Sequence, residues 1–197
     1  MYTKLPNLVL GFHGCNREAF ENVLYHHKPM KKSTNVYDWL GSGIYFWEQN
    51  LQRARDWALN RYGEENACVI GAVIDLGYCL NLTDNASASI LRKGHELLEH
   101  RCRLLKMKMP QNRQSKKTSD ILLRDLDCAV IEQVHYYCKR NGLPQYDSVR
   151  GIFLEGGSVY QGSEFREKTH VQICVRNPNC IKGFFSPIVR DKRYPMP

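Results

Sequence analysis

The sequence predicts an α+β fold. Two observations carry that expectation. Apolar runs of strand length stand towards both ends of the chain, and the middle is dominated by two long segments of helical period. Strands from opposite ends must therefore meet in one sheet.

The elements follow in order. Leu8 to Phe12 reads as a buried strand. Asn16 can cap a helix running to about His26, with Phe20, Val23 and Leu24 on one face. Residues 27 to 43 form a loop rich in Lys, Ser, Gly and Asn. Ile44 to Trp47 is a short strand, and a helix follows from about Asn50 to Tyr62, with Leu51, Ala54, Trp57 and Ala58 at helical spacing. Cys68 to Leu76 is β-branched and apolar, as a central strand requires. Ser87 to Met107 predicts a helix carrying Arg92, Lys93, Arg101, Arg103 and Lys106, with Lys108 just beyond it. Pro110 to Thr118 lacks an apolar pattern and reads as an exposed loop. Ser119 or Asp120 can cap a second long helix, with Ile121, Leu122, Leu126, Val130, Val134 and Tyr137 as its apolar face, and Gly142 stops it. Gly151 to Leu154, Thr169 to Arg176 and Ile181 to Phe185 are strands again. Glu155 to Lys168 is a long polar loop of the kind that often carries function. No internal repeat or low-complexity linker interrupts residues 1–197, so one domain is expected, with 85–145 as a helical insertion inside it.

The chain has 197 residues, 43% of them hydrophobic, enough for one substantial core. Its formal net charge is +8 and its pI about 9.1. Such a field attracts nucleic acid, nucleotides and acidic protein faces, or is simply a solvated basic surface. Eight cysteines occur without a CxxC pair or zinc-like spacing. Several lie in apolar runs, so they read as buried free thiols of a reducing, cytoplasmic compartment. The start of the chain lacks a signal-peptide core, and no stretch approaches a membrane span.

Two short segments point to a pocket: Gly11-Phe12-His13-Gly14-Cys15 and Leu40-Gly41-Ser42-Gly43-Ile44-Tyr45-Phe46-Trp47. Each places one polar ring among glycines at a strand end, which suits a flat, polar ligand. Taken singly, His13 and Tyr45 are also ordinary core residues. Alternation puts His170, Gln172 and Cys174 on one face of their strand and Val171, Ile173 and Val175 on the other. Gln172 is then either a surface residue of an edge strand or a ligand-facing one.

The order His13-Gly14, then Gly41-Ser42-Gly43-Ile44-Tyr45-Phe46, then a polar residue on a late strand resembles the H-Y-E arrangement of ADP-ribosyltransferases, in their poly(ADP-ribose) polymerase and diphtheria-toxin branch. The resemblance covers about residues 8–62 and 151–185; the basic helical middle does not match. The arginine-specific branch, with its leading Arg, Ser-Thr-Ser strand and Glu-x-Glu, is not similar. The resemblance implies a split antiparallel β-sheet core and NAD as the substrate, with no metal. It implies that His13 bonds a ribose of NAD, that Gly14 meets the nicotinamide carboxamide through its backbone, that Tyr45 stacks on the nicotinamide ring, and that Ser42 and Gly43 also bind NAD. Trp57 either closes the other side of that sandwich or is the core face of its helix. Lys31, Lys32 and Ser33 fall in the equivalent of the loop over the NAD phosphates, or in a solvated loop. Gln172 stands where the family has its catalytic Glu. It keeps a hydrogen bond and loses the charge that stabilises an oxocarbenium-like transition state; Glu155, Glu164 and Glu167 are candidates to supply it.

The activity so implied is mono-ADP-ribosylation of a macromolecular acceptor, protein or nucleic acid, with release of nicotinamide. Because chain elongation in the family needs the Glu, no polymer is expected. Tyr160, Glu164 and Phe165 lie in the segment that corresponds to the family's target-recognition loop. A small transferase of this kind resembles a bacterial toxin or defence effector, whose partner is an antitoxin or immunity protein. Two other readings stay open on the residues alone: a catalytically silent module that binds NAD or ADP-ribose, and a basic nucleic-acid-binding protein whose His and Tyr are structural.

Overall fold

The first strand is paired over its whole length on one side and hardly at all on the other, and the candidate site lies where that pairing stops. This is seen in a computed structural model, which describes residues 8–115, 120–188 and 193. Strand β1 (Leu8–Asn16) runs straight into helix α1 (Arg17–Leu24), whose first turn is capped by Asn16 Oδ1 accepting from Ala19 N at 2.9 Å. Strand β2 (Ile44–Glu48), helix α2 (Leu51–Tyr62) and strand β3 (Ala67–Asp75) follow, close to the predicted bounds. Strand β4 (Cys79–Asn81) leads into helix α3 (Asn85–Leu104). A two-stranded ribbon, β5 (Asn112–Arg113) and β6 (Leu123–Arg124), precedes helix α4 (Asp125–Arg140). Strands β7 (Ser148–Phe153), β8 (His170–Val175) and β9 (Ile181–Phe185) complete the fold.

Seven strands form one sheet in the order β4-β7-β8-β2-β1-β3-β9. The fold is mixed α+β with a mostly antiparallel sheet, as the strands at both ends of the chain require. The strands run as a single sheet with a weak seam between β1 and β2. β1 pairs with β3 from Leu8↔Asp75 to Asn16↔Ala67, but with β2 only at Gly11↔Glu48 and Phe12↔Trp47. One pair of strands, β4 and β7, is parallel. Parallel neighbours need a long crossover, and the helical segment 85–140 is that crossover. It is part of how the sheet is built, rather than an appendage to it.

Alternation gives each face its own core. Ile44, Phe46, Ala72, Ile74, Ile173 and Val175 pack on one face with Cys180. Tyr45, Val149, Phe153 and Cys174 face the other way and meet Leu40, Leu80 and Ile131. Strand β8, flanked by β2 and β7, is interior, with His170 4% and Cys174 0% exposed. The edge-strand alternative for Gln172 is therefore excluded. Helices α3 and α4 pack through Leu98, Cys102 and Val130, and they approach so closely at Gly94 that a Cβ there would lie 2.6 Å from Val134 Cγ2.

Helix α4 starts about five residues later than predicted. The expected cap, Asp120, instead accepts from Gly156 N at 3.1 Å, and Ser119 lies outside the described residues. Asn112 Oδ1, from the ribbon, accepts from Leu126 N and Asp127 N and caps the helix from another segment. Ile121 and Leu122 thus precede the helix and are not part of its apolar face. The loop predicted from Pro110 contains β5, and β4 was not expected either. None of the eight cysteines forms a disulfide. Cys15 faces Cys68 across β1 and β3, and burial pushes its thiol up to about 12. No helix among the described residues is long and apolar enough to cross a membrane.

Candidate active site

Beyond Phe12 and Trp47 the two central strands part. The His13 ring sits in the opening and its Nδ1–H donates to the Tyr45 carbonyl at 2.7 Å, in place of a ladder bond. A carbonyl only accepts, so the proton is on Nδ1 and Nε2 is left as an acceptor. Burial lowers the His13 pKa, against the opposing effect of the bond to Tyr45, which keeps the ring neutral. Leu10 O accepts from Gln49 N, so by alternation the peptide groups of Leu10, Phe12 and Gly14 all point towards β2. At Gly14 the ladder has already ended, and its N–H and C=O face the fork.

Gly14 is glycine for a packing reason. A Cβ there would lie 2.4 Å from the Ala54 carbonyl oxygen and 3.1 Å from the Trp57 ring. Helix α2 therefore lies directly on the strand, with Trp57 at the fork. Trp57 also meets Trp47 at 5.8 Å between ring centroids. Trp57 therefore packs on the strand at the fork, as the core face of its helix.

His13 and Tyr45 belong to opposite faces. The imidazole meets Phe46 at 5.9 Å, whereas the Tyr45 ring packs with Leu40 and Cys174. The Tyr45 hydroxyl donates to Gly41 O at 2.6 Å and accepts from Leu40 N at 2.8 Å, and burial raises its pKa. Its hydrogen bonds serve the glycine turn, and its ring packs against the core beneath that turn. Gly41 turns at φ 77°, a conformation that disfavours a side chain. Ser42 is gripped on both sides: its N–H donates to Glu132 Oε1 at 2.7 Å and its carbonyl accepts from Arg176 Nη1 at 2.9 Å. Glu132 and Arg176 pair with each other at 2.6 Å. Burial raises the Glu132 pKa, but the bonds from Arg176 and Ser42 outweigh it and hold the carboxyl below its ordinary value. Ser33 exchanges backbone bonds with Gly43 at 2.8 and 3.0 Å, and Lys32 Nζ donates to Arg176 O. The loop of Lys31, Lys32 and Ser33 is thus tied to the glycine turn.

Gln172 stands one strand away, opposite Trp47 on β2 and Gly151 on β7. Its environment is a chain of polar contacts. His170 Nδ1–H donates to Lys168 O at 2.6 Å, so its Nε2 accepts from the Gln172 amide N–H at 2.9 Å. Burial lowers the His170 pKa more than Lys168 and Glu155 raise it, and the ring stays neutral. Residue 172 must then donate. A glutamate would set one acceptor against another, which accounts for the amide in physical terms. The amide oxygen keeps its capacity to accept. Glu155 Oε2 lies 3.6 Å from His170 Nδ1 and 2.7 Å from Arg53 Nη2. Trp39, Trp47 and Phe153 surround the imidazole. Trp47 Nε1 and Arg53 Nε are buried without a protein partner.

Of the three candidate carboxylates, Glu155 is buried in this network, and Glu164 and Glu167 are exposed. Tyr160 and Phe165, 61% and 71% exposed, lie with Glu164 on a loop closed by Val159 N donating to Phe165 O and Ser163 N to Tyr160 O. The structure brings His13, Gly14 and Trp57 to the fork with the Tyr45 carbonyl, sets the Tyr45 ring on the opposite face from His13, places Gln172 one strand away, and leaves the three loop residues at the surface. Arg53, His170, Glu132 and Arg176 were not foreseen as site residues. Arg53 had a signal, since it lies one turn before Trp57 and beside Ala54 on the packed face of α2. Glu132 had none in its local pattern. Among the described residues no cluster of His, Cys, Asp and Glu could hold a metal ion.

Compared with known protein families, the chain matches none, and no solved structure matches it. It is similar to an uncharacterized protein of Methanocaldococcus jannaschii, with 28% identity over 188 residues, covering 87% of this chain and 83% of that relative.

Proposed function

We propose that this chain is an NAD-dependent mono-ADP-ribosyltransferase. The observation that carries the reading is the fork at the two glycine motifs, where the Gly14 peptide edge turns into the opening between β1 and β2. An N–H and C=O side by side, beyond the last β1–β2 pair, are complementary to a carboxamide, which offers one acceptor and one donor in return. The neutral His13 can accept a ribose hydroxyl at Nε2, and Trp57 supplies aromatic surface for the nicotinamide ring. The Gln172 oxygen, held by His170, can accept from a ribose hydroxyl one strand away.

The chemistry asks little of acid or base. The bond from the nicotinamide nitrogen to the anomeric carbon breaks, and its electron pair leaves with nicotinamide, which departs neutral. The acceptor's nucleophile bonds to the anomeric carbon and gives up its proton. Positioning and electrostatics carry the catalysis. The buried Glu155 carboxylate, paired to Arg53 and next to His170, replaces at longer range some of the charge that Gln172 lacks.

The test is release of nicotinamide from NAD, with protein, RNA and DNA each offered as acceptor. Gln172→Ala should lower the rate by about a hundredfold, the usual cost of one transition-state hydrogen bond in a preorganised site. His13→Ala should raise KM more than it lowers kcat. If the wild type binds NAD but releases no nicotinamide with any acceptor, the protein is a binding module and the transferase reading is lost.

A further inference from the structure

A groove of about 480 Å³ lies between α3, α4 and the far end of β7. Its floor is Gly151, where a Cβ would come within 3.2 Å of Leu40 and 3.5 Å of Leu82. β4 pairs with β7 only as far as Arg150, so the outer edge of β7 is open from Gly151 onward. One wall is aromatic and cationic. Trp39 and Phe153 pack at 4.4 Å, and the Arg124 guanidinium lies 4.7 Å from the Trp39 ring centroid and 5.3 Å from that of Phe153. The other wall is α3, which contributes Leu91, Arg92 and His95. Asp127, the groove's carboxylate, is paired to Arg124 at 3.2 Å. Arg92 is exposed and has no ion-pair or hydrogen-bond partner among the described residues.

We propose that this groove holds a base of single-stranded nucleic acid, with the adjoining phosphate on Arg92. A guanidinium plane backed by two aromatic rings is a stacking platform for a flat heterocycle, and it is indifferent to sequence. Arg92 supplies the unpaired cation that a phosphate needs. Position strengthens the case. Gly151 is the direct cross-strand partner of Gln172, so the floor of the groove lies one strand from the amide. Trp39 and Phe153 also touch His170. A base in the groove lies beside Gln172, as an acceptor must. That last step rests on the transferase reading; binding in the groove does not.

The experiment titrates the full chain into short, labelled single-stranded DNA and RNA, followed by fluorescence anisotropy without NAD. Binding should weaken with added salt. Arg92→Glu and Arg124→Ala should each lose about tenfold or more in affinity, the scale of one lost stack or phosphate contact. Arg103→Glu makes the same charge change as Arg92→Glu, away from the groove, and should lose less than Arg92→Glu. Tryptophan emission should be quenched on binding, and less so in Trp39→Phe. Thermal unfolding of each variant separates a lost contact from a lost fold. The proposal is overturned if neither DNA nor RNA binds, or if Arg92→Glu and Arg103→Glu lose affinity equally. It is also overturned if Arg92→Glu abolishes labelling of protein from NAD while oligonucleotide binding stays intact, which would assign the groove to a protein side chain. Nicotinamide release by the wild type is measured separately. Its absence removes the transferase reading and leaves groove-dependent binding standing; its presence without oligonucleotide binding removes the groove proposal alone.

Discussion

On the β9-β3-β1 side of the seam, with α1 and α2, the buried residues are apolar: Cys15, Val23, Ala54, Ala58, Ile70, Ala72 and Ile74. On the β2-β8-β7-β4 side, with α3 and α4, the core also takes in Ser87, Gln133, His135, Ser148, Glu155, Ser163 and His170. One half is held by area and shape, at roughly 25 cal/mol per Å² of apolar surface removed from water. The other must also satisfy each polar group it buries, because an unpartnered one costs about 1–3 kcal/mol. The site lies along the boundary: its fork is bounded by the apolar half, and Gln172 belongs to the polar one. The contrast teaches that the first half is a platform, whereas the second is where a single lost partner changes both stability and chemistry.

The sharpest way to break that contrast is Glu155→Ala. It leaves Arg53, whose side chain is 15% exposed, facing the core without a counter-charge. The expected cost is about 3–5 kcal/mol, the range for removing one member of a buried pair. Urea unfolding measures it. Replacing both partners, as Arg53→Met with Glu155→Leu, should cost less than Glu155→Ala alone. A loss of less than about 1 kcal/mol for Glu155→Ala would put the pair with ordinary surface pairs and erase the distinction between the halves.

The next effect is in acid. Both ring nitrogens of His135 are buried without a partner, and burial, ahead of repulsion from Arg176, lowers its pKa from 6.5 to about 4. Between those values the unfolded chain takes up a proton that the folded chain refuses. The resulting stability is complete above pH 6.5 and is lost as the pH falls towards 4, by roughly 3 kcal/mol at about 1.4 kcal/mol per unit. His13 and His170 shift in the same direction, so the comparison of wild type with His135→Leu isolates this ring. The variant should lose less stability than the wild type between pH 6.5 and 4. Parallel curves would show that His135 finds a partner in solution.

The difference between the halves also explains what could be read in the sequence. Strands β1, β3 and β9 and helices α1 and α2 are carried by local signals: β-branched runs, the Asn16 cap and the Ala54, Trp57, Ala58 spacing. The motifs at His13-Gly14 and Gly41-Ser42-Gly43 lie in or next to such elements. The unforeseen features depend on partners far along the chain. β4 exists because Cys79–Asn81 meets Ser148–Arg150, some seventy positions on. Helix α4 starts where Asn112 caps it, and Asp120, a good local cap, is drawn to Gly156. Arg53 finds Glu155 across the seam, and Glu132 reaches back to Ser42. Polar burial is specified by the pairing of two distant residues, and neither residue type announces it alone.

The smallest expected effect tests the platform half. Ile74 is fully buried in the core shared by Phe46, Ala72 and Ile173. Ile74→Val removes one methyl group from a site where the neighbours are apolar and no hydrogen bond is at stake. The expected cost is about 1 kcal/mol, from lost transfer energy and incomplete closure of the gap. It should be the same at pH 7 and pH 5, because the substitution removes only apolar contacts with this cluster. That pH-independence is the discriminating part of the measurement. If the cost of Ile74→Val changes with pH as the His135 contribution does, the two halves unfold as one electrostatic unit and the seam has no energetic meaning. If it stays constant while the effect of His135→Leu changes between pH 6.5 and 4, the platform and the polar half are distinct in energy as well as in composition.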